Sequence, residues 1–142
     1  MIRYCRTHIY LTAAFLLMAC GCNSPTDSEL EGGVLALFEV SGERFSVFVT
    51  NSGTISEILA LEAGMSEASI PNGRLVRGPG PAEHNLLWNW HMDPVDIEMA
   101  EVTIELCDAK PSIIEKNLEE WLNVVGQFCP WDARLVSVDD LR

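Results

Sequence analysis

Ten residues, Asn85 to Pro94, constrain this chain more than any other stretch: Asn-Leu-Leu-Trp-Asn-Trp-His-Met-Asp-Pro. Side chains of an extended strand alternate between two faces. A strand here sends Trp88, Trp90 and Met92 one way and Asn89, His91 and Asp93 the other. One side is then a large apolar anchor that only a packed core can accept. The other is a short row of groups able to bind, ligate or move protons. Asp93-Pro94 ends the strand, because proline has no N–H to give a ladder.

The flanking segments supply that core. Val34–Val40 and Arg44–Thr50 read as two strands, joined by a Ser41-Gly42-Glu43 turn into an antiparallel hairpin. Thr54, with Glu57 three residues on, reads as a capping box for a helix over 55–63 that Gly64 stops. A short strand follows between Gly73 and Gly78, and Pro79-Gly80-Pro81 forces a loop. Residues 102–107, Val-Thr-Ile-Glu-Leu-Cys, alternate cleanly and predict another strand, with Val102, Ile104 and Leu106 on its apolar face. Asp108 reads as an N-cap and Pro111 as a first-turn residue. Ile113, Ile114, Asn117, Leu118, Trp121, Leu122 and Val125 then form one amphipathic helical stripe, stopped by Gly126. Arg134 to Val138 is a last strand. The expected fold is α+β, a mainly antiparallel sheet with two helices, as one domain over 34–142.

The chain starts differently. Arg3 and Arg6 precede an apolar run, Ile9 to Met18, of signal-peptide proportions. Leu17-Met18-Ala19-Cys20 resembles the bacterial lipobox. The resemblance implies cleavage after Ala19, diacylglycerol on the Cys20 sulfur and an acylated amine, palmitate being the usual acyl group. The alternative is an ordinary secretory signal followed by an unrelated cysteine. Residues 20–33 are small, polar and turn-rich, and read as a flexible tether. The localisation expected is the cell envelope of a bacterium, lipid-anchored. Gly21 rather than Asp after the cysteine points to the outer membrane in a double-membraned cell.

Cys5 leaves with the signal and Cys20 carries lipid, which leaves Cys22, Cys107 and Cys129. Export permits disulfides. Cys107 ends a strand and Cys129 follows the helix that doubles back, so the expected pair is Cys107–Cys129, with Cys22 unpaired.

Charge excludes one class of partner. The 142 residues carry 9 basic and 21 acidic side chains, a formal net charge of -12. No basic cluster follows the signal segment, so nucleic acid is not an expected partner. An acidic body also repels anionic lipid. Membrane lipid is reached through acylated Cys20, and the remaining partner is an envelope protein or small ligand.

The residues so assembled resemble a family of small secreted domains of bacteria and fungi, described as calmodulin-binding-protein-related. The resemblance rests on Trp88-x-Trp90-His91-x-Asp93-Pro94 and Cys129-Pro130-Trp131-x-x-Arg134-Leu135, with Gly73-Arg74-Leu75-Val76-Arg77-Gly78 before them and Ile104 to Asp108 between. It supports the paired cysteines and implies no defined activity. Calmodulin targets are basic amphipathic helices. The stretch from Pro111 to Val125 holds Lys116 but also Glu115, Glu119 and Glu120, so calmodulin binding does not follow.

Three functional readings remain. The first is a non-catalytic binding module using Trp88, Asn89, Trp90, His91, Asp93, Trp131 and Arg134. The second is an enzyme centred on His91, Asp93 and Glu105, which with Asn89 and Thr103 would form one patch if the 102–107 strand lay beside the Trp-His strand. Such a set suits a divalent metal or an acid/base pair, and a divalent metal is the one cofactor it would take. His84 lies across a loop from it. The third is inhibition of an extracytoplasmic hydrolase through the loop Arg77–Glu83. Against all three stands the plainer use of these side chains, as satisfied polar groups and core aromatics. Arg134 in particular reads as structural, stacking on Trp131 or pairing with Asp132 or Glu105.

Overall fold

The hairpin opens the fold as its sequence predicts. In the computed structural model, which describes residues 30–142, β1 (Val34–Val40) and β2 (Glu43–Val49) pair antiparallel, Val34 opposite Val49 and Val40 opposite Glu43. Ser41 and Gly42 both take positive φ, 50° and 82°, the backbone that a tight two-residue hairpin needs. The signal segment, Cys20 and Cys22 lie outside the described residues.

Helix α1 (Ser52–Glu62) begins three residues earlier than the capping box would put it. Asn51 is the cap, its side-chain oxygen accepting from the Gly53 and Thr54 amides. Thr54 is buried instead and donates its hydroxyl to the Ile97 carbonyl at 2.6 Å.

Strand β3 (Ile70–Arg77) carries three antiparallel partners along its length. These are β4 (Trp90–Met92) at its end, β5 (Glu98–Ala100) at its start and β6 (Gln127–Phe128) between. Strand β7 (Arg134–Asp140) returns to pair with β1, giving a first sheet ordered β2-β1-β7. The fold is α+β with two antiparallel sheets. Phe38, Phe45, Trp90 and Phe128 meet at its centre, with ring centroids 5.1–6.2 Å apart, and Ile58, Ile97 and Ile114 close over them.

Other expectations are corrected as well. Residues 102–107 form no strand: an extended segment leads into a 3-10 turn, Glu105–Cys107. The expected apolar face is turned out, and on the other face only Cys107 is buried, Thr103 being half-buried and Glu105 exposed. Cys107 is buried against Cys129, and Val102 is 83% exposed, with Ile104 and Leu106 also outward. The Cys107–Cys129 disulfide, Cα atoms 5.1 Å apart, is formed as expected and decides which face turns in. It packs in a small cluster with Ile70, apart from the aromatic centre.

The long amphipathic helix is broken as well. Helix α2 (Pro111–Lys116) ends at Asn117, whose φ and ψ are -123° and 36°. The Asn117 side-chain amide and its backbone N–H both donate to the Ile113 carbonyl. Then α3 (Leu118–Glu120) runs into a π-turn, Trp121–Val125, closed by the Gly126 amide on the Trp121 carbonyl. Ile114 and Trp121 stay in the core, whereas Val124 is turned out. Asp108 is not the cap of α2: its carboxylate accepts from the Trp131 amide. The Glu43 carboxylate reaches across from β2 and accepts from the Ser112 amide and hydroxyl at 2.8 and 2.7 Å.

Candidate functional site

The residues around His91 are set by a loop that folds back on β2. Only Trp90–Met92 is strand, because residues 85–88 close a turn, the Trp88 amide donating to the Asn85 carbonyl at 3.0 Å. Asn85 is buried. Its Oδ1 accepts from the Ser46 amide at 2.9 Å and its Nδ2 donates to the Trp90 carbonyl at 2.8 Å. Trp88 is half-buried, its indole N–H on the Arg44 carbonyl at 2.8 Å and its ring stacked near Trp90 at 6.1 Å. The loop thereby covers the outer edge of β2, which would otherwise offer unpaired backbone groups.

The polar row is engaged from within. His91 is 8% exposed, and its Nδ1 lies 2.8 Å from the Gly78 carbonyl. That contact fixes the ring and assigns the Nδ1 proton. Asp93 pairs with Arg74 and also accepts from the Val95 amide. Asn89 is held by both oxygens of Glu115. His84, which spacing alone left across a loop, comes to His91: their ring centroids are 5.7 Å apart, at an interplanar angle of 84°. Gly80 lies between them at φ 83°, and any Cβ there would stand 2.2 Å from the His84 ring. His84 Nδ1 meets the Pro81 carbonyl at 2.9 Å, while its Nε2 is buried with no partner. Burial holds its pKa below the ordinary 6.5; the Pro81 carbonyl opposes that shift and the neighbouring His91 adds to it.

Other predicted site residues are dispersed. Glu105 stands exposed on the 3-10 turn beside the disulfide, and the strand paired with β4 is β3, not 102–107. The single patch of Asn89, His91, Asp93, Thr103 and Glu105 required that pairing. Among the described residues no group of three or more His, Cys, Asp and Glu side chains is arranged to hold a metal ion. Trp131, 39% exposed, lines a shallow cleft with Ile70, Val102 and Thr103, away from the Trp88–Trp90 stack. Arg134 pairs with Glu39, which also takes Arg44, and the two guanidinium groups hold the Glu39 carboxyl below its ordinary 4.5. Arg77, at the root of the proposed inhibitory loop, pairs with Glu119. A cleft of about 510 Å³ between the β1–β2 turn and the start of α2 is lined by Glu43, Asp108, Lys110 and Asp132, none of them a predicted site residue.

Sequence reasoning missed Asn85 and Gly80. Each had a signal: an asparagine heading an apolar turn, and a glycine between two prolines.

Fold and site together define a disulfide-stapled α+β domain of two antiparallel sheets, with an aromatic centre and a histidine-filled loop. The chain belongs to the family described as the BP-74 N-terminal domain, whose model matches residues 33–141. That span is nearly all of the described residues, 30–142. No curated protein and no solved structure matches it significantly.

Proposed function

We propose that this chain is a lipid-anchored domain of the bacterial cell envelope that acts by binding rather than by catalysis. The anchor is Cys20, acylated after cleavage behind Ala19, and residues 20–33 link it to the domain. The observation that carries the non-catalytic reading is the internal use of the polar row. His91, Asp93 and Asn89 each engage a carbonyl, a guanidinium or a carboxylate of the fold itself. A general base needs its proton-accepting atom within reach of substrate; with Nδ1 on the Gly78 carbonyl that atom is His91 Nε2, on a ring only 8% exposed, and a metal needs converging ligands.

Two measurements test the proposal. Protein prepared without added metal is expected to contain none, and zinc, manganese or calcium is expected to leave its melting temperature unchanged. Stoichiometric metal with a raised melting temperature would favour the enzyme centred on His91, Asp93 and Glu105 instead. Labelled palmitate is expected to enter the wild type and not Cys20→Ala; a wild type that takes up no label would remove the anchor.

A further inference from the structure

The turn Asn85–Trp88 displays two adjacent leucines. Leu86 is 69% exposed and Leu87 76%. Exposed apolar residues scattered singly need no explanation, but a contiguous pair on a fixed scaffold does. This scaffold is fixed at both ends: Asn85 is buried and tied to Ser46 and Trp90, and Trp88 is tied to Arg44. Glu115 holds Asn89 just beyond. A tip so held loses little conformational freedom when it inserts into another phase.

The place where the tether joins the domain decides what covers the tip. Gly33 packs on the Phe48 ring so closely that a Cβ would stand 2.6 Å from it. The Phe48 ring lies 6.1 Å from that of His84, the residue before Asn85. Along β2, Val34 pairs with Val49 and Asn85 bonds to Ser46. Three residues of strand separate the two, about 10 Å. The leucine tip therefore sits beside the point from which an anchor at Cys20 would pull.

We infer that Leu86 and Leu87 form a second membrane contact, seated in the interfacial region of the bilayer that holds the anchor. This inference rests on the lipid-anchored reading above. Net charge chooses the lipid: at -12 the chain is repelled by anionic headgroups, so the contact is apolar insertion among zwitterionic lipids. Trp88, half-buried with its polar edge already bonded, stands where indole rings favour the headgroup level. The contact orients the domain and turns the disulfide end, with Val102 and Trp131, away from the surface. Val102 lies beyond Ala100, which pairs with Ile70 at the start of β3, whereas Gly78, just past its far end, donates to Asn89. That separation is ~25 Å.

The test uses the full acylated chain, with Cys22→Ser to remove the spare thiol, in phosphatidylcholine vesicles. Leu87→Cys is labelled with a nitrobenzoxadiazole dye, and Val102→Cys serves as the distant exposed control. Flotation with the vesicles reads the anchor, and the dye reads the tip. A blue-shifted emission at position 87, quenched by acyl-brominated lipid and several-fold less open to iodide than at position 102, is the expected result. A chain that floats while both positions stay equally aqueous overturns the leucine contact and leaves the anchor standing. A chain that does not float overturns the anchoring, and this contact with it.

Discussion

Asn85 takes the Ser46 amide on its side-chain oxygen and gives its own amide to the Trp90 carbonyl, so one buried side chain joins the two sheets. Asn85→Ala strands a backbone N–H on β2 and a carbonyl on β4. Leaving such groups without partners costs about 1–3 kcal/mol each where water cannot reach them. A loss of about 2–3 kcal/mol in urea denaturation is expected; a loss below about half a kcal/mol would mean that water replaces the side chain. His84 gives a prediction of a different kind. Its folded pKa is lowered by burial and by the His91 ring, against the Pro81 carbonyl. The unfolded chain therefore binds a proton at a higher pH than the fold does. Stability from neutral His84 is complete above the ordinary 6.5 and declines as pH falls from there through the folded value. Glu39, Glu43 and Glu119, each lowered from 4.5, keep their charge in that window. The groups facing His84 are the His91 and Phe48 rings and the Pro81 carbonyl, with Glu83 before it in the chain. The melting temperature of the wild type is expected to fall as pH drops below 6.5, and His84→Gln is expected to flatten that slope. An equal slope in both proteins would assign the titration elsewhere.

At the scale of elements, helix α2 depends on a residue outside itself. Lys110 at its start makes no capping bond, and Glu43 supplies one from β2. Burial works against the Glu43 carboxylate, but the Ser112 amide and hydroxyl outweigh it and its pKa is lowered. Glu43→Ala is expected to cost about 1 kcal/mol, read as a shifted denaturation midpoint at unchanged slope. The disulfide works on a longer stretch, its cysteines 22 residues apart with both short helices between them. Replacing both cysteines by serine is expected to cost about 3 kcal/mol, and retained stability would mean that the Ile70 cluster holds without the bond. These two elements show where the sequence was legible. The hairpin, α1, the final strand and the cysteine pair followed from alternation, spacing and export. The 102–107 segment did not, because alternation gives two faces without naming the inner one, and only the bond at Cys107 names it. The broken helix followed a similar course: Asn117 fits the stripe by spacing, yet its backbone leaves the helical region at φ -123° and ψ 36°. In the site, the apolar half of the Trp-His strand was legible from residue size alone. The polar half was not, since Gly78, Arg74 and Glu115 are distant in sequence and only the fold brings them to His91, Asp93 and Asn89.

Across the whole molecule the electrostatic balance has two opposed parts. Arg44, Arg74, Arg77, Arg134 and Arg142 each pair with a carboxylate, all at exposed or half-exposed positions. Pairs of this kind add little to stability and weaken as salt is added. Against them stands the surplus of 21 acidic over 9 basic side chains. That surplus repels itself in the compact state more than in the expanded chain. Salt screens both, but the pairs are local, whereas the repulsion sums over the whole surface at separations near the Debye length of about 10 Å. The repulsion is therefore lost first and the pairs last. The melting temperature is expected to rise between about 10 and about 150 mM sodium chloride, where the Debye length contracts from about 30 to about 8 Å. A fall over the same range would show that the arginine pairs outweigh the acidic surplus. In that case neutralising Glu39, which holds two arginines at once, would destabilise the chain at low salt and much less at high salt.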